Sequence, residues 1–272
     1  MKIAVIQMVS SAHVPTNLAQ AKSLLEQAAQ GGAELAVLPE YFCQIGGHSA
    51  YQLEIQETFG HGPLQQFLSS MARTLGIWLV GGTIPIRATD PNRVFNSCLA
   101  YSPQGDCVAR YDKIHLFCFN NGQEQYDESR ILQAGHSPAL FTLPSTDGHP
   151  WNIGLSICYD LRFPELYRIY AREGADLLLV PSAFTHTTGQ AHWEILLRAR
   201  AIENLAYVVA AAQGGEHPNG RRTWGHSMAI DPWGHVLASQ AQGAGLVYAN
   251  LLHPVLERSR VQLPALNHRV LG

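Results

Sequence analysis

Three residues of types that can do covalent chemistry each stand just beyond an apolar run. Glu40 follows Leu35-Ala36-Val37-Leu38-Pro39, Lys113 follows Cys107-Val108-Ala109-Arg110-Tyr111-Asp112, and Cys158 follows Asn152-Ile153-Gly154-Leu155-Ser156-Ile157. A thiol can attack an electron-poor carbon, a carboxylate can carry the proton, and an ammonium can hold the charge that develops on oxygen. Each residue alone has a plainer reading. A cysteine closing a core strand is commonly a small buried apolar side chain, and a Glu or Lys in a polar loop commonly faces solvent. The surroundings of Cys158 argue for more. Pro164 suits the first turn of a helix, and a helix N-terminus together with a nearby ammonium favours thiolate. Backbone N–H groups following the cysteine are free to bind an oxyanion.

Such a set works only if the chain brings three distant segments to one rim, and an internal echo suggests how. Gly32 to Pro39 reads GAELAVLP and Gly174 to Pro181 reads GADLLLVP. Each follows a helical segment, Asn17 to Gln30 and Pro164 to Glu173, and each helix follows a short strand, Lys2 to Gln7 and Asn152 to Ile157. The strands are nearly all apolar, as strands buried on both faces are. A second echo follows: Ser97 to Tyr101 runs through Pro103-Gln104-Gly105 into Val108-Ala109, and Ser227 to Ile230 runs through Pro232-Trp233-Gly234 into Leu237-Ala238. Pro-x-Gly between two apolar runs reads as a hairpin turn.

Two strand–helix–strand halves with right-handed crossovers, each with a hairpin, predict an α/β fold of two sheets packed face to face with helices outside. No Pro/Gly/Ser-rich linker divides the chain, so residues 1–272 are read as one domain, with Gly-Gly pairs at Gly46, Gly81 and Gly214 as turns. In α/β sheets ligands collect beyond the carboxyl ends of strands, which is where Glu40, Lys113 and Cys158 fall.

The composition fits a packed core. Of 272 residues, 46% are hydrophobic and 14% charged, the opposite of a disordered chain. A net charge of −3 without basic runs argues against nucleic acid or an anionic membrane surface as partner. Five cysteines (Cys43, Cys98, Cys107, Cys118 and Cys158) show no disulfide or zinc spacing, and the 13 histidines are scattered, so no metal site is expected. MKIAVIQM reads as an immediate strand without a leader, and no apolar run reaches the ~18 residues of a membrane span. The expectation is a cytoplasmic protein.

The stretch CYDLRFPELYR at Cys158, the tetrad VLPE ending at Glu40, YDKIHL around Lys113 and GHSMAIDPWG from Gly225 together resemble the nitrilase superfamily of carbon–nitrogen hydrolases over essentially the whole chain. The resemblance implies a four-layer αββα sandwich of two mixed sheets with internal pseudo-duplication. It also implies a Glu40–Lys113–Cys158 triad, with Glu128 as a second glutamate. Glu40 would then move the protons of amide hydrolysis, Lys113 and the Tyr159 backbone N–H would hold the oxyanion, and Glu128 would orient Lys113 or the substrate; no cofactor is required.

Within the superfamily, PSAF, AHWEILLRARAIE, YVVAAAQ, RRTWGHSMAIDPWG and LPALNHR resemble the branch that acts on deaminated glutathione. The ω-amidase branch is the alternative, with nitrile or carbamoyl-amide hydrolysis and a non-catalytic scaffold as further readings. Substrates of both leading branches carry a carboxylate beside a ketone, which calls for arginine. Arg162 and the Arg221-Arg222 pair are the candidates for that clamp; the plainer reading is a structural salt bridge for Arg162 and a solvated loop for Arg221 and Arg222. Where many relatives have an acidic residue and a Pro-Gly loop after HLF, this chain has Cys118-Phe119-Asn120-Asn121-Gly122-Gln123, with Cys118 at most a pocket-wall residue. The helix His192 to Asn204 presents Trp193, Leu196, Leu197 and Ala201 on one face. The resemblance further implies a homodimer, with the tail from about residue 254 packed across its interface.

Overall fold

The computed structural model of the chain describes residues 1–46, 50–120, 122 and 125–271. The first half runs β1 (Lys2–Gln7), α1 (Val14–Gln30), β2 (Leu35–Val37), α2 (Tyr51–Glu54), α3 (Pro63–Leu75), β3 (Trp78–Val80), β4 (Ile84–Arg87), β5 (Val94–Tyr101) and β6 (Cys107–Asp112). A small hairpin, β7 (Cys118–Asn120) and β8 (Gln125–Asp127), leads to β9 (Leu140–Pro144), β10 (Pro150–Leu155), α4 (Pro164–Arg172), β11 (Leu177–Leu179), α5 (His186–Asn204) and β12 (Tyr207–Ala210). A second hairpin, β13 (Gly214–Glu216) and β14 (Arg222–Trp224), is followed by β15 (Ser227–Ile230), β16 (Val236–Gln240), β17 (Gly245–Asn250) and α6 (His253–Gln262).

The expected duplication is visible in the strand order. One sheet runs β17-β1-β2-β3-β5-β4 with β6 on β5, and the other runs β16-β15-β12-β11-β10-β9. In each, three strands are parallel, β1, β2 and β3 or β10, β11 and β12. Each triplet continues into an antiparallel hairpin, β5–β6 or β15–β16, and is flanked on the other side by an antiparallel edge, β17 or β9. Both hairpins turn as the Pro-x-Gly signal predicts, with Gly105 at φ +84° and Gly234 at φ +86°.

Alternation along β1 assigns the layers. Ile3 and Val5 pack toward the second sheet, in one cluster with Trp151, Ile153, Leu179 and Val208. Ala4 and Ile6 turn the other way onto Leu24, Leu25 and Leu68 of α1 and α3. On the far side α4 and α5 cover the second sheet through Leu166, Tyr167, Trp193 and Leu197. The order of layers is therefore αββα. Burial on both faces explains why the middle strands carry no alternating polar residues.

Helix ends follow local chemistry. α1, α3, α4 and α6 each have proline at the first or second position, and α3 stops at Gly76 in the left-handed region. Helix α5 begins at His186, two turns before the apolar spacing announced it, behind Thr185, whose hydroxyl lies 2.7 Å from that of Thr188. The strand read as Asn152 to Ile157 is β10, Pro150–Leu155; Ser156 and Ile157 leave the ladder to begin the turn that carries Cys158. Gly214 lies in β13 rather than in a turn.

Candidate active site

All three chemistry-bearing residues lie where strands of the two sheets end. Glu40 follows β2 and is wholly buried. Its strand end is fixed by Gly82, which sits at φ +55° so close to the Pro39 carbonyl that a Cβ would come within 2.1 Å of that oxygen. Lys113 follows β6 and is held at its backbone by two bonds, its N–H donating to Asn96 O at 3.0 Å and its carbonyl accepting from Gly135 N at 2.9 Å. Cys158 opens the 3₁₀ turn Cys158–Arg162 at φ +50°, a conformation few non-glycine residues adopt. Its N–H donates to Pro181 O at 3.0 Å, locking the bend. The N–H of Tyr159, in the first turn, has no acceptor within that helix.

The side chains form one network. Lys113 Nζ donates to Glu40 Oε1 at 3.0 Å and stands 2.9 Å from Glu128, each carboxylate taking one side of the ammonium. Glu40 also accepts from Asn96 Nδ2 at 2.9 Å and from the Ala183 N–H at 2.8 Å. Glu128, in a 3₁₀ turn, accepts from the Tyr41 hydroxyl at 3.1 Å and the Phe117 N–H at 2.7 Å. Both glutamates thus have defined donors, and neither side chain has freedom to rotate away.

Glu40, Glu128, Cys158, Tyr159 and Arg162 line a single cavity, with Phe117, Ala183, Phe184, Thr185, Thr188 and Arg221 completing its walls. The structure therefore gathers Glu40, Glu128, Cys158, Tyr159 and Arg162 at one cavity, with Lys113 behind Glu40 and Glu128. Arg162 stacks over Tyr159 and Phe184, and its Nη1 lies 3.2 Å from His192 Nδ1. It forms no ion pair among the described residues.

Electrostatics correct one expectation. Burial, and then the charge of Glu40, push the Cys158 thiol well above the ordinary cysteine range; Lys113 pulls down, and Glu128 pushes up again. Desolvation and the two carboxylates oppose the thiolate that the helix end and the ammonium favour, and the balance is toward the neutral thiol. For Lys113, burial favours the neutral amine, but Glu128 and then Glu40 overcome it and hold the side chain charged.

Two further readings change. Arg221 is not a solvated loop residue: Nη2 donates to Ala183 O at 3.3 Å, and the guanidinium lies over the Tyr126 ring beside the cavity. Its neighbour Arg222 is exposed, as expected. Cys118 is exposed on β7 and does not wall the cavity; Asn121 and Gln123 of its loop lie outside the described residues.

Sequence reasoning missed Asn96, Tyr41 and Asp160. Asn96 and Tyr41 offer no local signal, since their bonds span 56 and 87 residues. Asp160 sits inside the cysteine motif and was open to notice. Its buried carboxylate accepts from Ile157 N at 2.9 Å, His115 N at 3.0 Å and the Tyr111 hydroxyl at 2.7 Å.

Among the described residues, no group of three or more His, Cys, Asp or Glu side chains could hold a metal ion, and no helix is long and apolar enough to cross a membrane.

Duplicated sheets in an αββα arrangement, with this cavity at their strand ends, are the architecture of the nitrilase superfamily. The chain belongs to the carbon–nitrogen hydrolase family, whose profile matches residues 2–260, and it is a hydrolase of the amidase type, acting on carbon–nitrogen bonds other than peptide bonds. Deaminated glutathione amidase of Synechocystis sp. is 41% identical over 270 residues, covering 98% of this chain and 97% of the relative. Human Omega-amidase NIT2 is 37% identical over 269 residues, covering 98% and 94%. Nit3 of Saccharomyces cerevisiae, a member of branch 10 of the nitrilase superfamily, has a structure that matches at TM-score 0.86 and 31% identity, over 97% of this chain and 94% of that one.

Proposed function

We propose that the protein hydrolyses a linear amide through a thioester on Cys158, and that the amide is deaminated glutathione, giving 2-oxoglutarate and cysteinylglycine. The observation that carries the mechanism is that Cys158, at its left-handed turn, and Glu40 line one cavity, with Lys113 Nζ 3.0 Å behind Glu40. Glu40 takes the thiol proton as Sγ attacks the amide carbon. The tetrahedral oxyanion rests on Lys113 Nζ and the Tyr159 N–H. As the carbon–nitrogen bond breaks, Glu40 returns the proton to the leaving amine. Water then attacks the thioester, giving a proton to Glu40, and the acid departs with the thiol restored. Glu128 keeps Lys113 charged and aimed, and no metal or organic cofactor enters the cycle.

Coupled transfer suits a neutral resting thiol, since the sulfur loses its proton only as it attacks. Arg162, unpaired and stacked on Tyr159, clamps the carboxylate of the 2-oxo acid arm. The substrate assignment leans on the Synechocystis amidase; the human ω-amidase at 37% identity supports 2-oxoglutaramate as a second reading. We read the chain as one cytoplasmic domain that pairs as a homodimer. Arg260 ties α6 to its own body at Ala175 O, Leu205 O and Asp176, so the crossing segment would be the residues after it, where Val270 and Leu271 are exposed.

Hydrolysis of deaminated glutathione and 2-oxoglutaramate, followed side by side by mass spectrometry with Cys158→Ala as blank, tests the assignment. Faster release of cysteinylglycine supports the first substrate, and faster release of ammonia from 2-oxoglutaramate supports the second. Cleavage of neither overturns both.

A further inference from the structure

The Cys158 cavity does not end at Glu128. A second, more open cavity shares Phe117, Glu128 and Arg221 with it and extends over Tyr41, Tyr51, Gln52, Tyr126 and Leu132. Arg221 stands at the junction. Its guanidinium carries five N–H donors, yet among the described residues it makes one bond, to Ala183 O, and its buried Nε has no acceptor there. No carboxylate among the described residues forms an ion pair with it. Glu128, which lines both cavities, is already taken by Lys113, Tyr41 and the Phe117 N–H, and Asp127 of the second cavity pairs with Arg130. A half-buried guanidinium whose buried Nε lacks an acceptor is costly unless an anion completes it.

The location says which anion. Ala183 links the two groups at issue, its N–H donating to Glu40 and its carbonyl accepting from Arg221. In the cycle proposed above, Glu40 hands its proton to the leaving nitrogen, so the arm attached to that nitrogen departs past Glu40 toward Arg221. Arg162, by contrast, stacks on Tyr159, the residue after the nucleophile. We propose that Arg221 binds a carboxylate on the amine arm of the substrate, as at a peptide C-terminus, with Tyr51 and Tyr126 walling that arm. The substrate class is then an N-substituted amide with an anion at each end, one for Arg162 and one for Arg221. This rests on the amidase reading but asks more of it, since a primary amide such as 2-oxoglutaramate leaves the second cavity empty.

The test compares deaminated glutathione with its C-terminal carboxamide, which differs only in that charge. In the wild-type protein the acid is cleaved with a kcat/KM about 10- to 100-fold above the carboxamide, mostly through KM, the range of a charge-assisted hydrogen bond. In Arg221→Gln that ratio collapses toward one, and Arg221→Lys restores part of it. Equal loss on both substrates, or an unchanged ratio, overturns the proposal. Calorimetric titration with cysteinylglycine and its amide reads the same preference without turnover, so it separates failure of this site from failure of the amidase reading. Preference for the acid in wild type, lost in Arg221→Gln, supports the site; no preference overturns it.

Discussion

Asp160 Oδ1 lies 2.7 Å from His115 Nδ1, joining the loop that carries Lys113 to the turn that carries Cys158. His115 is two residues beyond Lys113, and Asp160 two beyond Cys158. The same carboxylate takes the Ile157 N–H and the Tyr111 hydroxyl, and the His115 ring stacks on Phe163 at 3.7 Å. One buried acid thus fixes the distance between Lys113 and Cys158 from outside the cavity. Asp160→Asn keeps the shape but puts an amide donor where several donors already converge. Urea unfolding should show a loss of about 2–4 kcal/mol. At temperatures where the variant is folded, kcat should fall far more than KM rises, a split that simple instability would not produce.

Lys113 is held between two carboxylates, and removing it leaves Glu40 and Glu128 facing each other without a cation. Lys113→Ala should lower kcat by at least ~10²–10³-fold, the usual loss with an oxyanion donor. Steady-state kinetics on whichever amide is cleaved checks this, and retention of a tenth or more of the wild-type rate contradicts the role.

The thiol's elevated range has a counterintuitive consequence. Burial, the Glu40 charge and the Glu128 charge all oppose thiolate, so Glu40→Gln removes one of the three opposing effects and leaves Lys113 in place. Alkylation of Cys158 by iodoacetamide, followed by peptide mass spectrometry against pH, should have its midpoint at lower pH in Glu40→Gln than in wild type. Amide turnover in the same variant should fall by about 10²–10⁴-fold, because the proton carrier is gone. An upward shift of the midpoint would mean that the carboxylate stabilises thiolate in the resting protein.

His217 anchors the hairpin that carries Arg221, its ring nitrogens 2.8 Å from Ser10 O and from Thr223 Oγ1. Burial lowers its pKa. The unfolded chain therefore binds a proton near pH 6.5 that the folded chain refuses. This contribution to stability is whole above that pH and is lost as pH falls through the folded value. Denaturant unfolding at pH 7 and pH 5 should show a larger acid loss for wild type than for His217→Gln.

The duplication, the layer order and the positions of Glu40, Lys113 and Cys158 were legible because they are written locally. GAELAVLP and GADLLLVP announce β2 and β11, and Pro164 announces α4. What escaped depends on distance. Nothing near Asn96 says that its amide will meet Glu40, and the two arginines at 221 and 222 look alike in sequence although one turns inward. The charge state of Cys158 escaped for a different reason: motifs place the helix end and the lysine, but burial and the two glutamates enter only with the fold.

The central claim is that an acyl group passes through Cys158. Rapid quenching of wild type with deaminated glutathione, then intact-mass and peptide analysis, measures it directly. The account predicts a transient 2-oxoglutaryl adduct on the peptide containing Cys158, absent in Cys158→Ala along with turnover. Turnover that persists in Cys158→Ala, or an adduct on Cys118 or another thiol, would contradict it.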